Sequence, residues 1–141
     1  MAFNAKNAIN GTYGELWIND REVGEVKSFQ VKVEFQKEEI KMAGSMATDT
    51  KYMGYTVKGS LSLHKINSRM IHYLSDSIKK GKEPRFTLIG KLADPDADGV
   101  ERIVVKNVSF EDLTLMDWEG GAIGQSEHPF TATAWEVLDS F

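Results

Sequence analysis

The chain has 141 residues, no cysteine, 41% apolar and 27% charged residues and a formal net charge of −4, enough for one domain with a core and ordinary for a globular protein. This composition excludes disulfides, zinc–thiolate sites and thiol nucleophiles, argues against whole-chain disorder, and lacks the basic stripe of a protein that grips nucleic acid through phosphates. No run of about 18 apolar residues is present, so no membrane anchor is expected, and the opening MAFNAKNAING carries no secretory signature.

Residues 1–11 read as an N-terminal arm ending in the turn signal Asn10-Gly11. TYGELWI follows as a short strand, and NDRE turns the chain back. Phe29, Val31, Val33 and Phe35 then alternate with Gln30, Lys32, Glu34 and Gln36, the period-2 pattern of a strand with one dry and one wet face. YTVKGSLSLHK repeats the pattern through Tyr55, Val57, Gly59, Leu61 and Leu63. The two strands are expected to be antiparallel neighbours.

Residues 37–54 lie between them and are too many for a tight turn. They read as a long inter-strand loop carrying Ile40, Met42, Met46 and Met53. Unbranched Met side chains suit adaptable contacts with another chain. The same side chains can equally tuck back onto their own domain.

INSRMIHYLSDSIKKGKEP is the single helical segment. Asn67 or Ser68 serves as N-cap, and Met70, Ile71, Leu74 and Ile78 form one face. Gly81 takes the left-handed position after the helix, and Pro84 forbids continuation. RFTLIGKL and ERIVVKNVSFEDLTL read as strands, DWEGGAIGQSEH as a Gly-rich bend and PFTATAWEV as a last strand. The order predicts a mainly β, α+β domain: an antiparallel β-sandwich or barrel with one packed helix, spanning residues 1–141.

Asp94, Asp96, Asp98 and Gly99 match positions 1, 3, 5 and 6 of a calcium-binding EF-hand loop, but position 12 is Val105 where a bidentate Glu is required. Asp, Pro and Gly each supply turn chemistry, so the stretch reads as a hairpin bend and no metal is assigned. His64, His72 and His128 lack any HxH or HExxH spacing and read as surface or structural histidines. Gly120 to Gly124 has no strand–turn–helix context for a phosphate loop. No catalytic or cofactor-binding residue is assigned; Ile40, Met42, Met46 and Met53 remain the candidate subunit-interface residues.

The ordered set GELWINDREVGEVKSFQVKVEF, a long segment containing MAG, GYTVKGSLSLHKINSRM and PFTATAWEVLDSF resembles the tail tube proteins of contractile-tailed phages, with the tube proteins of PBSX-type defective prophages the nearest likeness. It covers nearly the whole chain, from about Gly11 onward, and its specificity lies in the ordered set, since none of the short motifs is diagnostic alone. The resemblance implies a non-enzymatic structural protein of the virion tail, assembled in the host cytoplasm without a cofactor. It implies hexameric rings stacked into a tube inside a contractile sheath and built along a tape-measure protein, with baseplate and tail terminator proteins as further partners. In an active phage the lumen conducts DNA without specific binding; in a defective, bacteriocin-like particle the tube punctures an envelope. It also implies that residues 37–54 reach an adjacent subunit. Two readings stand beside it: a monomeric ligand-binding β-barrel or sandwich with an internal pocket, and a small enzyme.

Overall fold

The alternation of Phe29, Val31 and Val33 with lysine, glutamate and glutamine becomes the longest feature of the molecule. In the computed structural model, which describes residues 5–8, 10–64, 68–96 and 99–140, strand β3 (Val26–Lys41) pairs with β4 (Thr48–His64) along almost its entire length. Phe29 faces Leu61, Val33 faces Val57 and Lys41 faces Thr48. The expected loop at residues 37–54 is therefore mostly ladder: the connection is only residues 42–47, with Gly44 at φ +79°. Thr48, Thr50 and Tyr52 suit a pleated strand, and their register opposite Lys41, Glu39 and Lys37 is continuous. A register shift leaves Met53 as the extra residue of a β-bulge between the Gln36–Gly54 and Lys37–Tyr52 pairs.

The remaining strands build the body. β1 (Gly14–Ile18) and β2 (Arg21–Glu22) are joined by Asn19 and Asp20 at φ 47° and 69°, both positive as a two-residue hairpin turn requires. β1 pairs with β5 (Phe86–Leu92), and β5 with β6 (Glu101–Phe110). The expected closing strand is divided into β7 (Gln125–Ala132) and β8 (Ala134–Asp139). Both lie against β6 in one register from Phe110 facing Phe130, through Lys106 facing Ala134, to Ile103 facing Val137, with a shift only at Arg102. β7 pairs on its other side with β4. All these pairings are antiparallel, and the order is β2-β1-β5-β6-β7-β4-β3, with β8 beside β6. The fold class is as expected: mainly β and antiparallel, with one helix.

The sheet curls over on itself. Phe29 of β3, at one end of that order, approaches β5 so closely that a Cβ on Gly90 would lie 2.9 Å from its ring. Leu16, Ile18, Val57, Leu61, Leu88, Val105, Val108 and Phe130 fill the enclosed space. His128 is buried beside them, its Nε2 2.9 Å from Ser126 Oγ. β6 leaves the ladder at Phe110, earlier than expected. Glu111 N–H still donates to the Pro129 carbonyl at 3.0 Å, and the next residues run out into a loop.

The helix α1 (Arg69–Lys79) lays Met70 and Leu74 on this core, with Tyr73 against Phe86 at 5.9 Å between ring centres. Ile78 departs from expectation: it is exposed, because the buried stripe ends one turn earlier, at Leu74. Ser68 precedes the helix without a side-chain capping bond. Gly81, at φ +71°, donates to the Ile78 carbonyl, and Lys82 N–H to that of Ser77, which satisfies the last turn. Arg69 anchors the other end: its Nε and second guanidinium nitrogen donate to both oxygens of buried Glu25, at 2.6 and 3.3 Å.

The aspartate stretch joins β5 to β6 as a hairpin, Leu92 facing Glu101. Asp94 uses one oxygen to accept from its neighbour Asp96 N–H and the other to accept from Asn10 N–H, both at 2.9 Å. The end of the N-terminal arm is thus tied to this bend. Residues 1–4 and Ile9 of the arm, the alternative cap Asn67, and Asp98 lie outside the described residues.

Candidate subunit interface

Beyond Val57, which faces Ala132, β4 loses β7 as a neighbour while its pairing with β3 continues. The segment from Glu34 to Thr56 is consequently a two-stranded arm that projects from the body. All four predicted interface residues sit on it and all are exposed: Ile40, Met42, Met53 and, fully, Met46 at 104%. None tucks back onto the body. They do not gather at one place either: Met42 and Met46 occupy the tip, Met53 the bulge, and Ile40 the face shared with Gln36 and Glu38.

The opposite face of the arm carries a feature that residue pattern alone did not reveal. Phe35 stacks on Tyr52 at 4.9 Å, and Lys37 Nζ lies 5.2 Å above the Tyr52 ring. Tyr55 meets Trp135 of β8 edge-on at 5.3 Å. All four rings are exposed, yet they extend the dry face of Leu88, Val105 and Val57, because Trp135 faces Val105 and Phe35 continues the alternation of Val31 and Val33. Tyr52 fell inside the expected loop, where no strand face was assigned to it.

A second apolar patch lies in the loop between β6 and β7, read in sequence as a Gly-rich bend. Leu115, Met116, Trp118 and Ile123 are all exposed there. Leu113, by contrast, packs against the core and holds the start of the loop down.

The outer face of the β3–β4 hairpin is wet, as the alternation predicts. Glu34 lies 3.4 Å from Lys32 and 3.5 Å from Lys58. The hydrogen bond from Lys32 and the charge of Lys58 hold its carboxyl below the usual carboxylate value. The face is mixed in sign, not uniformly acidic. Among the described residues three strands pair on one side only: β3 with β4, β8 with β6 and the two-residue β2 with β1. A cleft of about 780 Å³ opens where the sheet curls past itself, walled by Leu16, Phe29, Val31, Gly90, Leu92 and Ile103. Among the described residues no cluster of three or more potential metal ligands occurs, and no helix is long and apolar enough to cross a membrane.

Open edges, a projecting arm and two bare apolar patches are what the single copy leaves exposed. Residues 1–139 match the family described as phage tail tube protein. The chain belongs to that family. The phage-like element PBSX protein XkdM of Bacillus subtilis (strain 168) is 31% identical over 140 residues, covering 97% of this chain and 95% of that protein. The fold is shared with the tube-terminating cap of the anti-feeding prophage, at a TM-score of 0.76 and 14% identity over 99% of this chain and 95% of that one. It is shared too with a chain of the PVC sheath–tube complex of an extracellular contractile injection system in its extended state, at 0.74 and 11% identity over 94% and 93%. This tail tube protein is a structural component of the virion tail and not an enzyme.

Proposed function

We propose that this tail tube protein closes into hexameric rings that stack as a hollow tube inside a contractile sheath. The single observation that carries the reading is the pair of longer open edges, β3 and β8, beside which the two-residue β2 is too short to matter. β3 and β8 each expose one row of backbone donors and acceptors. An isolated copy leaves both rows to water, whereas a ring of copies pairs the β3 edge of one with the β8 edge of the next. The arm, with Ile40, Met42, Met46 and Met53, then reaches an adjacent subunit. The sheath–tube complex and tube cap that share the fold support a sheath protein and a terminator as partners; a baseplate and a length-setting tape-measure protein are carried over from the family resemblance. The wet face bearing Lys32, Glu34 and Lys58 is the candidate lumen lining. Glu34 bridges both lysines and Glu127 lies on the same face opposite Ser62, so phosphates meet little uncompensated positive charge and DNA passes without specific binding; in a DNA-free particle the same tube serves for envelope puncture.

Electron microscopy of the purified protein across a concentration series, with and without baseplate components, tests the reading. Rings with six-fold symmetry or tubes are expected. A protein that stays monomeric throughout, baseplate components included, overturns it.

A further inference from the structure

We infer that the loop between β6 and β7, residues 111–124, seats on the aromatic face of the arm of a second copy. The inference rests on the tube reading and deepens it by naming the two segments that meet. The loop exposes Leu115, Met116, Trp118 and Ile123, and between them it carries Glu111, Asp112, Asp117 and Glu119 with no basic residue. The arm exposes Phe35, Tyr52 and Tyr55, and β8 adds Trp135 beside Tyr55. Lys37 lies over Tyr52, and Glu39 and Lys41 continue the alternation on that face, which thus holds two lysines to one glutamate. An apolar patch studded with carboxylates thus has its complement, an aromatic patch flanked by ammonium groups, on the same chain. Aromatic anchors with a charged surround are the usual composition of a contact between proteins.

The two patches sit at opposite ends of β4. The arm leaves the body before Val57, whereas the loop, after leaving β6 at Phe110, runs beside His64 and Arg69 from Thr114 to Asp117 and returns at Gln125 opposite His64, the last residue of that strand. Eight strand steps of about 3.3 Å separate Thr56 from His64, roughly 26 Å. One copy cannot satisfy both patches on itself, and a second copy can. Because the surfaces are different, the contact is heterologous and continues from copy to copy. A sheath protein covering the loop is the competing occupant.

The chain has no cysteine, so single introduced thiols report contacts cleanly. Gly120→Cys in the loop and Thr50→Cys on the arm leave every aromatic anchor in place. A Cβ at Gly120 meets nothing within 4 Å. Mixing the two full-length variants under mild oxidation is expected to give a disulfide-linked heterodimer in about tenfold excess over a mixture of Thr50→Cys with Glu22→Cys on β2, an excess corresponding to specific rather than random encounter. Tubes that form without this excess overturn the loop assignment and leave the tube reading intact; absence of both tubes and cross-link overturns both. A charge test removes dependence on thiols. Lys37→Glu with Lys41→Glu is expected to raise the concentration for half-assembly about tenfold, and Asp117→Lys with Glu119→Lys to restore it. Failure of that restoration, or capture of the Gly120→Cys loop by co-expressed sheath protein instead of a second copy, sinks the proposal.

Discussion

Asn107 Nδ2 donates a hydrogen bond to Thr133 Oγ1 at 3.0 Å, joining β6 to the residue that divides β7 from β8. Asn107 holds φ +57°, and the pairing of β6 with β5 shifts register there, between Phe86–Val108 and Leu88–Val105. The bend at this pair lets one ribbon serve β4 on one side of it and extend along β6 on the other.

Asn tolerates the left-handed region better than other residues with a side chain, and Gly tolerates it best. Asn107→Gly is expected to cost less than about 1 kcal/mol, and Asn107→Val about 1–3 kcal/mol, since a β-branched residue is strained there. Urea unfolding followed by circular dichroism measures the difference. Equal costs for the two variants contradict this account of the bend.

Gly59 of β4 has no room for a methyl group. A Cβ there would lie 2.2 Å from the Gln30 carbonyl oxygen and 2.6 Å from the Phe130 ring. Backbone of the paired strand cannot yield, so Gly59→Ala is expected to destabilise by about 1–3 kcal/mol or more. Gly120→Ala, with open space around it, is the control and is expected to change the unfolding midpoint little.

Glu25 and Arg69 set an acid limit on stability. Burial raises the Glu25 carboxyl, but the hydrogen bond and charge of Arg69 outweigh it, and the value lies below its ordinary 4.5. A carboxylate with a depressed value contributes stability that is fully present above about 4.5 and is lost as pH falls through the depressed value. Glu25→Gln is therefore expected to cost about 1–3 kcal/mol at pH 7, and the gap from the parent protein is expected to shrink as pH is taken below about 4.5. A gap that is constant with pH rules the ion pair out as its source.

The arm is expected to be dispensable for folding. Replacing residues 37–53 by Asn-Gly leaves Gln36 facing Gly54 across a two-residue turn suited to a hairpin. All the removed side chains are exposed. Thermal melting should shift by no more than a few degrees, consistent with roughly 1 kcal/mol or less in a domain of this size, while electron microscopy should show no tubes. Tubes formed by the shortened protein contradict the assignment of the arm to assembly.

Legibility in the sequence followed the presence of a dry face. Phe29, Val31 and Val33 alternate with polar residues because one side of β3 meets the core, and the same holds for Val57, Leu61 and Leu63 of β4. From Gln36 to Lys41 both faces meet water, so charged residues fall on each and period-2 contrast vanishes; the ladder there is invisible to pattern. The division at Thr133 has no local signature, since it depends on Asn107 across the ribbon. Trp118 was hidden by its glycine neighbours, which marked the segment as a turn and drew attention from its apolar content. Gly81 and the end of α1 were readable because that stop is made from adjacent residues alone.

In the proposed tube, the arm also bears on when copies commit to one another. A two-stranded ribbon without a third neighbour is marginally stable in water, so in a free copy its outer pairs fray. Ordering them on first contact consumes conformational entropy, which makes the initial encounter weak. On the tube reading, a copy arriving at a surface whose ribbons are already stiffened meets part of that cost removed, so growth on an existing template is favoured over spontaneous initiation, which needs a higher concentration of free protein.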